Sequence, residues 1–432
     1  MCTATLRILN QVPAFLVLCG LFIFGPIALV EAEDARQAWR FDLGNGPVAA
    51  GHEKVSPDHH YSEENTFGFD IKPSPSGVER SLDDPLRSDL VTSDRPFFFS
   101  VQLPEGNYQV TLTLGDAAEA TSTYVKAESR RLMLPKVETK PGEFAQVTFT
   151  VNTRTPAIID GDHVGLKSRE QGVLHWDDKL TLEFNGKRPS VCAIEITAKP
   201  EAVTVFLLGD STVTDQPLEP WNSWGQMFTR FFGPTVAVAN HAESGESIKG
   251  SLRARRVKKV LTSLKQGDYV LVQFGHNDMK DKDPNALAKY KANYEQLIDD
   301  VRAKGATPVL VTSMERKAGV KQPTLRDYPD TVRAIAKEKY VPLIDLNVMS
   351  IALYKALGDR LDAAFQDGSH HNAFGSYLLA NCVVEGIREN VPELAKHLRA
   401  DLPPFKPTEP MAPEAFDVPA SPNGDLTKPD GS

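Results

Sequence analysis

The 432-residue chain carries 48 basic and 57 acidic residues, a formal charge of −9, and is 41% hydrophobic and 24% charged. This balance lies far from the composition of disordered chains and predicts buried cores spread over two or three domains. The acidic excess, with no basic domain to offset it, argues against a nucleic-acid partner, because nonspecific binding needs clustered Lys and Arg to neutralise phosphates.

Residues 1–32 read as a secretory signal peptide: Arg7, an apolar run from Val12 to Val30, then Val30-Glu31-Ala32 as a small-residue cleavage site. The run is long enough to span a bilayer as an uncleaved anchor, although Pro13, Gly25 and Pro26 make a poor permanent helix. The expected location is therefore secreted or periplasmic, free of the membrane once the leader is removed, with an uncleaved N-terminal anchor as the alternative. Cys19 follows Leu18, where a lipidated cysteine would follow a small residue. Beyond the leader only Cys192 and Cys382 remain, which fits two buried thiols better than a disulfide framework. Neither Cys-x-x-Cys nor His-Glu-x-x-His occurs, so nothing suggests a zinc site.

Residues 36–200 alternate in short β-like segments: Phe97 to Leu103, Tyr108 to Leu114, Gln146 to Val151, Lys179 to Phe184 and Val191 to Thr197. Turns such as Pro104-Glu105-Gly106-Asn107 separate them, which predicts an antiparallel sandwich. Between 202 and 400 the texture changes. Apolar runs at Val203 to Leu208, Thr235 to Asn240, Tyr269 to Phe274, Thr307 to Thr312 and Val341 to Leu346 alternate with amphipathic stretches such as Pro284 to Lys304 and Asp330 to Lys339. That rhythm predicts βαβ units, a five-stranded parallel sheet with helices on both faces, and so an α/β domain behind an all-β one. Residues 401–432 hold eight prolines and few apolar clusters, and are expected to form a disordered tail.

Open α/β sheets bind ligands outside the carboxyl ends of their strands, so the residues after each strand carry the functional information. The first strand runs into Gly209-Asp210-Ser211-Thr212, the second into Asn240-His241-Ala242-Glu243-Ser244-Gly245, and the third into Gly275-His276-Asn277-Asp278. Asp367-Gly368-Ser369-His370 follows late in the chain, ahead of a helix beginning near Ala373. A serine hydrolase needs a nucleophilic hydroxyl, a base, a carboxylate to orient the base, and donors facing an oxyanion. Each has a candidate at that edge: Ser211, His370, Asp367, and the donors Ser211 N–H, Gly245 N–H and the Asn277 amide. Asp210 is read as a structural anchor of the turn. His371 falls outside the base's place and is given a structural or substrate-side role.

These blocks resemble the SGNH (GDSL-like) hydrolases, whose four motifs supply Ser, Gly, Asn and His in this order. Gly-Asp-Ser-Thr, the stretch Pro220-Trp221-Asn222-Ser223-Trp224-Gly225-Gln226 and Gly-His-Asn-Asp look like the rhamnogalacturonan acetylesterase group of that superfamily. The resemblance, over about Val203 to Asn390, implies a flavodoxin-like fold, Ser-His-Asp hydrolysis of acetyl esters on polysaccharide, and no cofactor or metal. Phe41-Asp42-Leu43-Gly44, Gly68-Phe69-Asp70 and Trp176-Asp177-Asp178-Lys179-Leu180 look like a galactose-binding-like module, which implies carbohydrate binding by the sandwich. The rival readings are another SGNH activity, xylan acetylesterase or lipase-like, and an inactive carbohydrate-binding protein. The absence of Gly-x-Ser-x-Gly argues against an α/β-hydrolase.

Further substrate contacts are expected from two places. Trp221 and Trp224 follow Ser211 closely and either stack on sugar or pack in the core. The run Lys249 to Lys259 carries six cations and no acid; it is either a solvated helix face or, through Arg255 and Arg256, a groove that attracts galacturonate carboxylates. Oligomeric state is left open.

Overall fold

The computed structural model describes residues 38–430 and Met1. The leader expected at 1–32 thus lies, Met1 apart, outside the described residues. Among the described residues no helix is long and apolar enough to cross a membrane.

The N-terminal half is a sandwich of a seven-stranded and a five-stranded sheet. Strand Gly106–Gly115 illustrates why it forms: Tyr108, Val110 and Leu112 point inward while Gln109 and Thr111 stay half-exposed, the period-2 pattern of a one-sided strand. Its inward residues meet Phe41, Phe99, Phe184 and Ile194 in one apolar core. The five predicted strands occur as Phe97–Gln102, Gly106–Gly115, Phe144–Thr153, Lys179–Arg188 and Ser190–Ala198. Seven more complete the sandwich, among them the hairpin Thr121–Ala127 and Arg131–Thr139. Cys192 and Cys382 are buried and free.

The C-terminal half is a parallel sheet in the spatial order Val236–Asn240, Val203–Gly209, Tyr269–Gln273, Thr307–Val311, Leu343–Ile344. This 2-1-3-4-5 order is the flavodoxin-like one, with its switch point between the first and third strands. Successive residues of the first strand enter opposite cores: Val205 and Leu207 join Trp224, Phe228 and Leu378 on one face, while Phe206 and Leu208 join Tyr294, Ile298 and Ile335 on the other. Burial on both faces explains why these strands read as unbroken apolar runs. The expected helices appear as Ala286–Ala303 and Tyr328–Lys339.

The two halves share a buried seam. The 121–139 hairpin inserts Leu132 into the core of the α/β half. At its tip, Arg131 Nε donates to Asp215 Oδ2 at 2.7 Å and Arg131 Nη1 to the Asn152 carbonyl at 2.8 Å. Arg130 reaches the carbonyls of Gln216 and Trp221 and pairs with Glu219. Replacing Arg131 with Met leaves a buried Asp215 carboxylate with, among the described residues, only the Asn240 amide and a 3.6 Å contact to Arg154. Stranding a buried charge costs about 3–5 kcal/mol, and chemical denaturation should register a loss of that order. Arg40→Gln, which removes an exposed 3.8 Å pair with Glu195, should change stability by no more than about 0.5 kcal/mol.

The described part of the tail expected to be disordered, residues 401–430, is instead held against both halves. Phe405, Met411, Phe416 and Val418 pack on the core of the α/β half, and Phe416 lies against Phe374 and Tyr377. Further on, Lys126 of the sandwich donates to the Pro419 carbonyl and Ser421 Oγ, and Ser421 Oγ donates to Glu183. Glu219 exchanges backbone bonds with Asn423 and Asp425. Proline removes backbone donors but also lowers the entropy lost on ordering, so spaced aromatic and aliphatic anchors suffice to hold such a segment down.

Candidate active site

Ser211 lies on the turn that leaves the first parallel strand. Gly209 precedes it because a Cβ there would come within 2.6 Å of the Val213 side chain and 2.8 Å of the Gln273 carbonyl. Asp210 stitches the turn: its Oδ1 accepts the Thr212 N–H and hydroxyl at 2.9 and 2.8 Å, and its backbone carbonyl accepts from Val213 and Thr214. Its Oδ2 faces His276 Nδ1 at 3.0 Å, and the other ring nitrogen donates to the Met314 carbonyl. Burial alone would raise the Asp210 carboxyl, but His276 and Thr212 override it and hold it below its ordinary value. The Gln216 amide ties the Ser211 carbonyl to Ser244 Oγ, so the first loop is bonded to the second.

The loop before helix Ala373–Asn390 carries the base. Asp367 Oδ1 accepts the N–H groups of Ser369 and His370, both at 2.7 Å, and Oδ2 accepts His370 Nδ1–H at 3.0 Å. With Nδ1 so engaged, Nε2 is left as the acceptor for the Ser211 hydroxyl, 2.8 Å away. Burial opposes the Asp367 charge, but these bonds from His370 and Ser369 outweigh it and hold the carboxyl well below its ordinary range. Ser211 and His370 are only 4% and 2% exposed, which keeps the local dielectric low. Trp221 stands edge-on to the His370 ring at 5.9 Å, its indole N–H bonded to the Asp425 carbonyl of the tail.

Gly245 adopts φ +74°, a left-handed conformation that a side chain would strain. Among the described residues, neither the Ser211 nor the Gly245 amide N–H has an intramolecular acceptor. Asn277 is oriented from both ends: its Oδ1 accepts Lys280 Nζ at 3.1 Å and its Nδ2 donates to the Glu246 carbonyl at 3.0 Å. The amide retains one N–H for another acceptor. Ser211, His370 and Asp367 are thus in one hydrogen-bonded chain, and Gly245 and Asn277 sit on two loops bonded to each other beside it. Beyond Trp221 and Ser244 opens a cavity of about 240 Å³, walled by Leu218 and Gln216, by Arg169 and His175 of the sandwich, and by Asp425 and Lys428 of the tail.

Other expected residues are elsewhere. His371 is fully buried and bonded to Tyr354 OH; burial first, then the charges of His370 and His276, push its imidazole down to about 3. Of the two roles expected of it, structural or substrate-side, its burial and its bond to Tyr354 favour the structural one. Trp224 is not a sugar platform: it is 1% exposed and donates to Gln273 Oε1, which in turn holds Thr212. Nor does Arg256 face substrate. It is completely buried, paired with Glu170 of the sandwich at 2.5 Å. Arg255 pairs with Asp162, Lys258 with Asp160 and Asp162, and Lys259 with Glu105. Four of the run's six cations thus belong to the α/β half's side of the seam with the sandwich, whereas Lys249 pairs with Asp281 of its own half and Arg253 is exposed. Residues that the sequence reading passed over include Gln216 and Arg316. The second follows the fourth strand and would have been found by reading that strand's carboxyl end as closely as the first three.

Comparison with known proteins places the chain in a family. Residues 207–377 match the GDSL-like lipase/acylhydrolase family, and residues 39–143 match a galactose-binding-like domain of the β-agarase/YXIM esterase type. The rhamnogalacturonan acetylesterase RhgT of Bacillus subtilis is 38% identical over 218 residues, covering 45% of this chain and 94% of that protein. The esterase YxiM of the same organism is 28% identical over 397 residues, 87% of this chain and 97% of YxiM. The crystal structure of YxiM covers 82% of this chain and 98% of its own at 27% identity, with a TM-score of 0.44. With nearly the whole of RhgT matched at that identity, and the Ser, Gly, Asn and His blocks gathered at one sheet edge, the chain belongs to the GDSL-like lipase/acylhydrolase family and is a hydrolase of carboxylic esters.

Proposed function

We propose that the protein is an exported carbohydrate esterase that removes acetyl groups from polysaccharide, with acetylated rhamnogalacturonan as its substrate. The observation that carries this reading is the chain from Asp367 through His370 to the Ser211 hydroxyl, with bonds of 3.0 and 2.8 Å. Unspent donors beside it, at Ser211 N, Gly245 N and Asn277 Nδ2, supply the second requirement of acyl transfer. In this mechanism His370 Nε2 takes the Ser211 proton as Oγ attacks the acetyl carbonyl. The three donors receive the oxyanion, and His370 returns its proton to the departing sugar hydroxyl. Water, activated by the same imidazole, then releases acetate and regenerates Ser211.

The polysaccharide assignment draws on the similarity to RhgT and on the sandwich, whose Arg169 and His175 wall a cavity shared with Trp221, the indole that stands against His370. Export draws on the apolar leader sequence. Acetate release from a panel of acetylated polymers tests the assignment: rhamnogalacturonan should be deacetylated at least about tenfold faster than xylan, a difference of about 1.4 kcal/mol in transition-state binding. A preference for acetylated xylan, or activity confined to short neutral esters, would overturn the substrate while leaving the esterase chemistry intact.

A further inference from the structure

The cations expected to meet an acidic polymer are paired with acids of the sandwich, Arg256 buried and Arg255 half-exposed, yet another set of cations borders the candidate site. An open hollow of about 450 Å³ is lined by Met279, Lys280, Lys282, Arg316 and Arg326, with Asp281 as its one acid. Asp281 is already paired with Lys249. Lys282 and Arg326 are exposed, and Lys282 has no protein partner among the described residues. In a chain of net charge −9, four cations around one hollow form a local field opposite in sign to the whole.

The hollow is bonded to the candidate site at two points. Lys280 Nζ donates to Asn277 Oδ1, so one of its cations orients the amide offered to the oxyanion. Arg316 Nε donates to Ser369 Oγ at 3.1 Å and Nη2 to the His276 carbonyl at 3.3 Å, while Lys317 N–H donates to the Gly368 carbonyl. Arg316 thereby sits against the very loop that presents Asp367 and His370. A ligand carboxylate in this hollow lies one residue from both the base loop and Asn277.

Resting on the polysaccharide reading above, we propose that this hollow is an anionic-sugar subsite, in which Lys282, Arg326 and Arg316 take the carboxylate of a uronic-acid residue at or next to the acetylated sugar. It makes the esterase selective for acidic over neutral acetylated polymers.

The test compares acetylated rhamnogalacturonan with the same polymer after carboxyl reduction, using wild type and the Lys282→Gln/Arg326→Gln double variant. Wild type should deacetylate the native polymer with a kcat/KM about tenfold above that for the reduced polymer at low salt. That advantage should fade above about 0.15 M salt as charges are screened beyond about 8 Å. In the double variant the ratio should fall close to one through a raised KM, with hydrolysis of a small neutral acetyl ester and the thermal midpoint unchanged. A double variant that keeps the native-to-reduced ratio, or loses rate equally on both polymers, overturns the subsite. Failure of wild type to release acetate from either polymer, while still cleaving the small ester, overturns the substrate reading and the subsite with it.

Discussion

Ser211→Ala and His370→Ala should each lower kcat by about 10⁵- to 10⁶-fold, and the double variant should be little worse than either alone. The reason is that the 2.8 Å Ser211–His370 bond is one proton-transfer unit: a hydroxyl without its base is a poor nucleophile, and a base without the hydroxyl has nothing to activate. Groups acting as a unit lose their joint contribution on the first deletion. What survives is catalysis by the oxyanion donors and by substrate binding, and this residue of activity is common to all three variants. Burst and steady-state kinetics on a small acetyl ester measure it, with circular dichroism to check that each variant folds. Additive losses would mean that the two side chains act in separate steps. His371→Ala should be far milder on the same assay, because its imidazole is spent on Tyr354 and stays neutral.

The α/β half was legible because its strands are buried on both faces, so each reads as an apolar run with the functional loop immediately after it. Leu207 and Leu208 enter different cores, yet both had to be apolar, and no choice of face was needed to find the strand. The hairpin Thr121–Ala127 and Arg131–Thr139 was not legible for the opposite reason. Its tip carries Lys126, Glu128, Arg130 and Arg131, all buried, and buried charge erases the period-2 contrast that marks a strand. Their partners, Asp215, Glu219 and Glu183, lie between 57 and 89 residues away in sequence, a separation that no local pattern carries. The basic run misled in the same way over Arg255 to Lys259: the acids that neutralise it there, Glu105, Asp160, Asp162 and Glu170, belong to the sandwich. Sequence shows like charges gathered along a helix; only the fold shows what faces them.

That seam also changes what the sandwich is for. The change of texture near residue 202 suggests two separable modules, but Leu132 contributes to the core of the α/β half and the Arg131–Asp215 pair is sealed from solvent. Asp215 accepts the Asn240 amide that also holds the Val213 carbonyl, and Arg130 holds the Gln216 carbonyl. The loop bearing Ser211 is therefore braced from the sandwich side, through bonds that an isolated α/β half would lack.

Asp367→Asn should leave the fold intact and lower kcat by about 10⁴-fold, the order found when an orienting carboxylate is lost and the base takes the wrong tautomer. The geometry says which way the amide turns. Oδ1 of Asp367 receives two backbone donors, Ser369 N–H and His370 N–H, so the oxygen of an Asn must occupy that place and its NH₂ must face His370 Nδ1. Nδ1 is then forced to accept, the ring proton moves to Nε2, and Nε2 can no longer take the proton of Ser211. Stability should follow pH in a matching way. Because the folded carboxyl is held well below its ordinary value, wild type gains stability over the Asn variant wherever the unfolded carboxyl, with a pKa of about 3.9, is ionised. The gap between the two proteins should therefore be full near pH 6 to 7 and close as pH falls through about 4 toward the depressed folded value. Denaturation midpoints measured across that range, beside kcat at neutral pH, separate the two effects. A large kcat loss with the stability gap confined to neutral pH supports the orienting role, and an Asn variant with near-normal kcat would show that His370 finds its tautomer without Asp367.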